Sequence, residues 1–221
     1  MYPNFSEEKK LWKRGYEFVA GLDEAGRGPL AGSVVASAFI VRQNASRLFK
    51  KIKINDSKKL SESQREYFYE ILTSHEDVHW GVGIVSEKVI DKINILEATK
   101  LAMLKAIENL GLKQRDVGRP AGRPTSVPPD FLLIDGNFKV NSKIPQKAII
   151  KGDSRVFSIA AASIIAKVTR DRLMQAMHKK YPQYGFERHK GYGTRVHIKN
   201  LEKFGICKIH RKSFYPVSNF A

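Results

Sequence analysis

Two acids stand side by side where an apolar run ends: Phe18-Val19-Ala20-Gly21-Leu22 leads into Asp23 and Glu24, then Ala25-Gly26-Arg27-Gly28-Pro29-Leu30-Ala31-Gly32. Successive side chains of a strand face opposite ways, so both acids converge on one point only if the strand stops there and the backbone turns. Gly26 and Gly28 permit such a turn, and they leave peptide N–H groups bare enough for a sugar-phosphate backbone to come close. Two further acids follow short apolar runs: Asp135 after residues 131–134, and Asp153 after residues 147–151 and Gly152. Strands that run the same way in an α/β sheet end on one edge, where these acids would meet. Several carboxylates within a few ångströms cannot all stay ionised unless cations lie among them. Oxygen-only ligands at that density suit Mg²⁺ or Mn²⁺. The chemistry implied is phosphodiester hydrolysis, with two ions roughly 3.5–4 Å apart activating a water and stabilising the leaving oxygen. Singly, Asp153 before Ser154 also reads as a helix cap and Asp135-Gly136-Asn137 as a turn. The adjacent Asp23 and Glu24, with no cation in their strand, weigh the set toward a metal.

The elements that must position these acids follow from periodicity. Residues 16–23 and 32–41 read as two strands, antiparallel because the loop at 24–31 is short. Ser61 followed by Gln64 has the spacing of a capping box for a helix reaching about Thr73. Residues 78–85 alternate as a third strand. Leu96, Met103, Ile107 and Leu110 mark one helix face that Gly111 can terminate. Residues 115–130, with Gly118-Arg119-Pro120 echoed by Gly122-Arg123-Pro124, read as a loop. Residues 131–135 and 147–151 read as strands buried on both faces. Residues 154–181 form a long helix whose Ala160, Ala161, Ala162, Ser163 and Ala166 allow close approach to the sheet. Residues 184–194 are a Gly- and aromatic-rich loop, and 195–204 a short last helix. His189, His197 and His210 are expected on loops or at the surface.

The 221 residues, 42% of them apolar, suffice for one medium domain. Lys and Arg outnumber Asp and Glu 39 to 22, a formal charge of +17, which points to a polyanionic partner, nucleic acid first. A thermophile's Lys-rich surface would carry matching Glu, and the acids here are too few. No apolar run approaches the ~20 residues of a spanning helix, and residues 1–11 are too polar for a signal peptide. A membrane partner is therefore not expected, and a cytoplasmic location is. The single cysteine, Cys207, excludes an internal disulfide and a cysteine-based zinc site.

Five motifs in order give these residues a family likeness. Residues 23–32, Asp56-Ser57-Lys58-Lys59-Leu60, Ile134-Asp135-Gly136-Asn137, Lys151-Gly152-Asp153 with residues 158–171, and His189-Lys190-Gly191-Tyr192-Gly193-Thr194 together resemble type 2 ribonuclease H, or ribonuclease HII. The likeness runs from Tyr16 to the His210-Arg211-Lys212-Ser213-Phe214 tail. It implies an α/β fold, an RNase H-like mixed β-sheet flanked by helices with a helical C-terminal part. The implied division is a catalytic domain at 1–181 and a substrate-contacting part at 182–221 packed on it. The implied activity is endonucleolytic cleavage of the RNA strand of RNA–DNA hybrids, and incision 5′ to a ribonucleotide embedded in duplex DNA, leaving 5′-phosphate and 3′-hydroxyl ends. The resemblance assigns Asp23, Glu24, Asp135 and Asp153 as catalytic metal ligands for Mg²⁺ or Mn²⁺. It puts the family's glycine-arginine-glycine motif on Gly26, Arg27 and Gly28, and its substrate-sensing tyrosine on Tyr192. Only a 2′-hydroxyl separates RNA from DNA at one nucleotide, and main-chain groups of the 26–28 loop, with the Tyr192 ring and hydroxyl, suit that discrimination.

Lys58, Ser163 and Lys167 are candidates for backbone-phosphate contacts, with packing or solvation as the alternative. Arg27 has the alternative of pairing with a local acid. The related type 3 enzymes share the Asp-Glu start but add a large N-terminal domain, whereas about fifteen residues precede the first strand here. The chain is expected to act as a monomer, and its tail from Phe214 to Ala221 carries no convincing sliding-clamp anchor. Competing readings are a DNA nuclease of the same broad fold that does not sense ribose, and a non-catalytic binding module whose acids are structural.

Overall fold

The structure is a computed structural model that describes residues 2–49, 52–54, 57–110 and 128–220. Gly111 and residues 115–127 of the Pro/Arg/Gly-rich segment, with Asp56, lie outside them. In chain order the elements are α1 (Ser6–Trp12), β1 (Val19–Ala25), β2 (Val34–Val41), α2 (Ser46–Phe49), α3 (Glu62–Ser74), β3 (Val78–Val85) and α4 (Glu87–Glu108). Then follow β4 (Phe131–Asp135), β5 (Gln146–Ile149), α5 (Phe157–Lys180), α6 (Phe186–His189) and α7 (Arg195–Phe204), with short 3₁₀ turns between.

The five strands form one mixed sheet in the order β3-β2-β1-β4-β5. β1 pairs antiparallel with β2, and β2 with β3, while β1, β4 and β5 run parallel. The parallel strands therefore end on one rim. Parity sorts the faces. Ala20, Leu22, Leu132 and Ile134 join the apolar cluster under α4, and Val19, Phe131 and Leu133 join the cluster of α5 and α1. Gly21 allows the close seating of α5, since a Cβ there would overlap the Ser158 backbone. A third cluster, with Leu30, Met174, Tyr184, Phe186, Leu201 and Val217, seats the C-terminal residues on the end of α5.

The capping box at Ser61 and Gln64 is formed and starts α3. α4 is broken at Asn94 (φ 66°, ψ 168°). There the Asn94 carboxamide oxygen accepts from the N–H groups of Leu96 (2.9 Å) and Glu97 (3.1 Å), capping the second half of the helix; of the face read from the sequence, Met103 and Leu110 are buried and Ile107 packs on the core, whereas Leu96 is exposed.

Four further expectations need correction. β1 continues through Glu24 to Ala25, paired with β2 at Asp23↔Ser37 and Glu24↔Ala36. The ladder to β2 holds both acids in extended backbone, and the turn comes after them. β5 is an edge strand, half-exposed, and Ile150 beyond it is 65% exposed. An apolar run of three residues there reflects composition and not two-sided burial. Residues 184–194 contain the short helix α6. His197 and His210 are buried, not at the surface.

Candidate active site

The rim where β1, β4 and β5 end collects the four acids. The last β1–β4 pair in register is Leu22↔Ile134, so Asp23 and Asp135 come next to each other on neighbouring parallel strands. By parity both face α5, and Glu24 faces the other way. Asp153 lies in the 3₁₀ turn Gly152–Ser154 that leads from β5 to α5. It does not cap α5, whose N-cap is Val156.

Each carboxylate has found a local donor. Asp23, 5% exposed, accepts from its neighbour's N–H (2.7 Å) and from the Ser163 hydroxyl. Ser163 is itself buried on α5, 2.9 Å from the Ser57 hydroxyl. Glu24 Oε1 lies 3.4 Å from Arg27, while Glu24 Oε2 is buried with no hydrogen-bond partner. Asp135 Oδ1 accepts from the Gly152 N–H at 2.6 Å. Asp153 lies 3.8 Å from the exposed Lys58 ammonium. Burial drives the Asp23 pKa well above the ordinary carboxylate value, and the charges of Glu24 and Asp135 drive it further. Burial also raises Glu24; Arg27 and Lys58 work against that rise, and Asp135 adds to it.

These residues fit a hard divalent cation: the donors are all oxygen, three of the acids repel one another, and one buried oxygen is unsatisfied. As the side chains stand, no group of three or more His, Cys, Asp or Glu among the described residues is drawn together closely enough to hold an ion. Ser163, Arg27, the Gly152 N–H and Lys58 each lie against one of the carboxylates.

Beside the acids runs the glycine-rich loop, set from below by two buried arginines. Arg211, with no exposed surface, donates to the carbonyls of Gly26 (2.6 Å), Arg27 (2.9 Å) and Gly32 (2.9 Å). Arg170 donates to those of Ala31 (3.2 Å), Ser33 (3.1 Å) and Lys190 (3.0 Å). With these carbonyls turned inward, two guanidinium charges lie under the loop, and burial lowers the pKa of each, that of Arg211 to about 9. Gly26 takes φ +99°, and a Cβ there would strike Arg170. Gly28 faces open space, its nearest neighbour being the Tyr192 ring. Tyr192 is 45% exposed, and its ring lies 5.9 Å from the Arg170 guanidinium.

The structure thus brings together Asp23, Glu24, Asp135, Asp153, Ser163, Lys58 and Arg27, with Gly26, Gly28 and Tyr192 adjoining. Lys167 stands differently: it pairs with Asp171 at 2.7 Å, and Arg65 approaches the other oxygen at 3.7 Å. Sequence reasoning missed Arg170 and Arg211, because nothing local distinguishes a buried arginine that serves backbone carbonyls from a solvated one. The His210-Arg211 step sat in a motif already noted, but its role needs the fold.

A family model described as ribonuclease HII matches residues 20–217. The ribonuclease HII of Chlamydia muridarum is 54% identical over 210 residues, covering 95% of this chain and 88% of that protein. That of Acetivibrio thermocellus is 52% identical over 207 residues, covering 94% and 73%. Among solved structures, the ribonuclease H2 of Pyrococcus horikoshii OT3 superposes with a TM-score of 0.71 at 26% identity, covering 92% of this chain and 96% of that one. RNase HII of Archaeoglobus fulgidus, solved in complex with PCNA, gives 0.68 at 25%, covering 89% and 95%. Bst-RNase HIII in complex with Mn²⁺ gives 0.66 at 16%, covering 92% and 68%, a likeness of fold alone. No helix among the described residues is long and apolar enough to cross a membrane. Ribonuclease HII, a divalent-metal-dependent class of hydrolases that cut RNA in RNA–DNA hybrids endonucleolytically, is the family to which this chain belongs.

Proposed function

We propose that the protein also incises duplex DNA on the 5′ side of an embedded ribonucleotide, and that Asp23, Glu24, Asp135 and Asp153 are its catalytic, metal-holding residues. The observation that carries this reading is the meeting of Asp23 and Asp135 at one rim, with the unpartnered Glu24 oxygen beside them. Two bound Mg²⁺ or Mn²⁺ ions would supply an activated water and charge stabilisation for the leaving oxygen. The chain's own part is to orient the substrate. The 26–28 loop, its carbonyls fixed by Arg211, offers its peptide edge to the ribose and phosphate at the junction. Arg27 and Lys58 bring positive charge to the same edge, and Ser163 holds Asp23 in place. Tyr192 presents its ring to the neighbouring deoxyribose. Lys167 reaches a phosphate only by sharing its ammonium with Asp171.

Residues 1–181 are the catalytic domain in this reading, and 182–221 the substrate-contacting part. In the same reading the protein acts as a monomer in the cytoplasm. The test is cleavage of an end-labelled DNA duplex carrying one ribonucleotide, with and without Mg²⁺, beside an all-DNA duplex. Cutting 5′ to the ribonucleotide, dependent on Mg²⁺, is expected; equal cutting of the all-DNA duplex would make the protein a general DNA nuclease. Asp23→Asn and Asp135→Asn are expected to abolish cutting while hybrid binding largely persists, and undiminished cleavage by either would remove that residue from the catalytic set.

A further inference from the structure

Behind Tyr192 lies a chain of buried imidazoles that the reaction above does not use. His197 Nδ1 is 2.9 Å from the Tyr192 carbonyl oxygen. His197 Nε2 is 3.0 Å from His210 Nε2, and the Cys207 N–H donates to His210 Nδ1 at 2.8 Å. Bond directions follow from chemistry. A carbonyl only accepts, so His197 carries its proton on Nδ1 and donates to Tyr192. An amide N–H only donates, so His210 Nδ1 is a lone pair, and its proton sits on Nε2, pointing at the lone pair of His197 Nε2. With one proton on each ring, every nitrogen is satisfied. A third ring, His189, stacks on His197 at 4.5 Å and 14°. It donates from Nε2 to the Tyr184 carbonyl (2.8 Å) and accepts the Gly191 N–H on Nδ1 (3.2 Å). Burial holds His197 and His210 at about 4, so both rings are neutral at physiological pH.

The two peptide bonds around Tyr192 are thus tied down. Its N–H donates to the His189 carbonyl (2.9 Å), and its carbonyl accepts from His197 and from the Thr194 N–H (2.8 Å). The residue is nonetheless 45% exposed, and its ring lies next to Gly28. A polar network this buried is stabilising only when complete, and here it ends on one residue of the substrate edge.

We propose that His197, oriented by His210, is a positioning residue that fixes the Tyr192 backbone and thereby sets the preference for a ribonucleotide–deoxyribonucleotide junction over a continuous hybrid. The inference rests on the reading of Tyr192 as the junction sensor. Two near-isosteric variants separate position from bulk: Asn retains a donor near the place of Nδ1, whereas Gln places its donor near Nε2.

The experiment compares kcat and KM on duplex DNA with a single ribonucleotide and on a continuous RNA–DNA hybrid, for the wild type, His197→Asn, His197→Gln, Tyr192→Ala, and His197→Gln with Tyr192→Ala. Expected is a preference kept within about twofold by His197→Asn and reduced roughly tenfold by His197→Gln, the effect of one lost buried hydrogen bond. In the Tyr192→Ala background, His197→Gln should reduce the preference no further. Equal preference in the Asn and Gln variants, or an added loss in the double variant, would overturn the inference while leaving Tyr192 as sensor. An equal loss on both substrates from Tyr192→Ala alone would instead overturn the Tyr192 reading, and the inference with it. Nitrogen-15 spectra of the wild type supply a check free of activity: His197 must be protonated on Nδ1 and His210 on Nε2, and the opposite tautomers would refute the network.

Discussion

Asp23 bears a cost that a bound cation would relieve. Its carboxylate is buried, and its pKa is raised by burial first and by the charges of Glu24 and Asp135 after that. A folded-state value above the unfolded one means that the charged form destabilises the fold at neutral pH, and that the penalty shrinks as pH falls through the raised value. Asp23→Asn is therefore expected to raise the metal-free melting midpoint at pH 7 while abolishing cutting. A gain of about 1 kcal/mol would appear as about 2–4 °C in a chain of this length. The difference from the wild type should narrow toward acid pH and on adding Mg²⁺, both of which thermal melts with Mg²⁺ or chelator measure. A lower midpoint for the Asn variant would show that the buried charge is already compensated. That acids would gather at strand ends was legible in the sequence, because each followed an apolar run. The face of each was not: parity placed Glu24 opposite Asp23 once β1 proved to run on to Ala25.

Elements hold these residues through close contacts that single atoms can break. A Cβ on Gly21 would overlap the Ser158 carbonyl carbon and the Ile159 nitrogen, both backbone and unable to swing aside. Gly21→Ala should cost about 1–3 kcal/mol or more, read as a lower urea midpoint, and β1 should carry the disturbance two residues on to Asp23. Gly28→Ala makes the opposite case, since only the Tyr192 ring is near. Its stability should change by less than about 0.5 kcal/mol while cleavage falls, because the added methyl stands where the substrate backbone would approach; unchanged cleavage would remove Gly28 from the substrate edge. Most strands and α3, α5 and α7 were legible from periodicity and caps. β5 was overread, because Ala148, Ile149 and Ile150 look like a core strand although Ile150 points outward. The imidazole chain was invisible because its members, thirteen residues apart, gain partners only when α7 and the tail fold together.

At the scale of the whole molecule, charge and acidity act in different ways. The +17 formal charge makes binding to a nucleic-acid duplex steeply salt-dependent, with a log–log slope near −0.9 per phosphate neutralised. Lys58→Ala should make that slope shallower by about one, measured by anisotropy on the inactive Asp135→Asn background; an unchanged slope would mean that Lys58 meets no phosphate. Acid acts through His197 and His210, whose folded values of about 4 lie below the ordinary 6.5. Between those limits the unfolded chain binds protons that the folded one refuses, so their contribution is complete above pH 6.5 and is lost as pH falls toward 4. Unfolding midpoints should drop across that window in the wild type and drop less when His210→Gln removes one titrating ring; the same drop in both would place the acid sensitivity elsewhere.

Arg211 lies 185 positions after Gly26, whose carbonyl it holds, and 58 after Asp153, the last of the four acids. A chain growing from its N-terminus therefore carries every carboxylate of the rim well before it carries the side chain that shapes the loop beside them. The ribosome makes the acid-bearing rim first and its clasp later, so the loop beside the acids gains its hold on Arg211 only once the stretch around that residue has emerged.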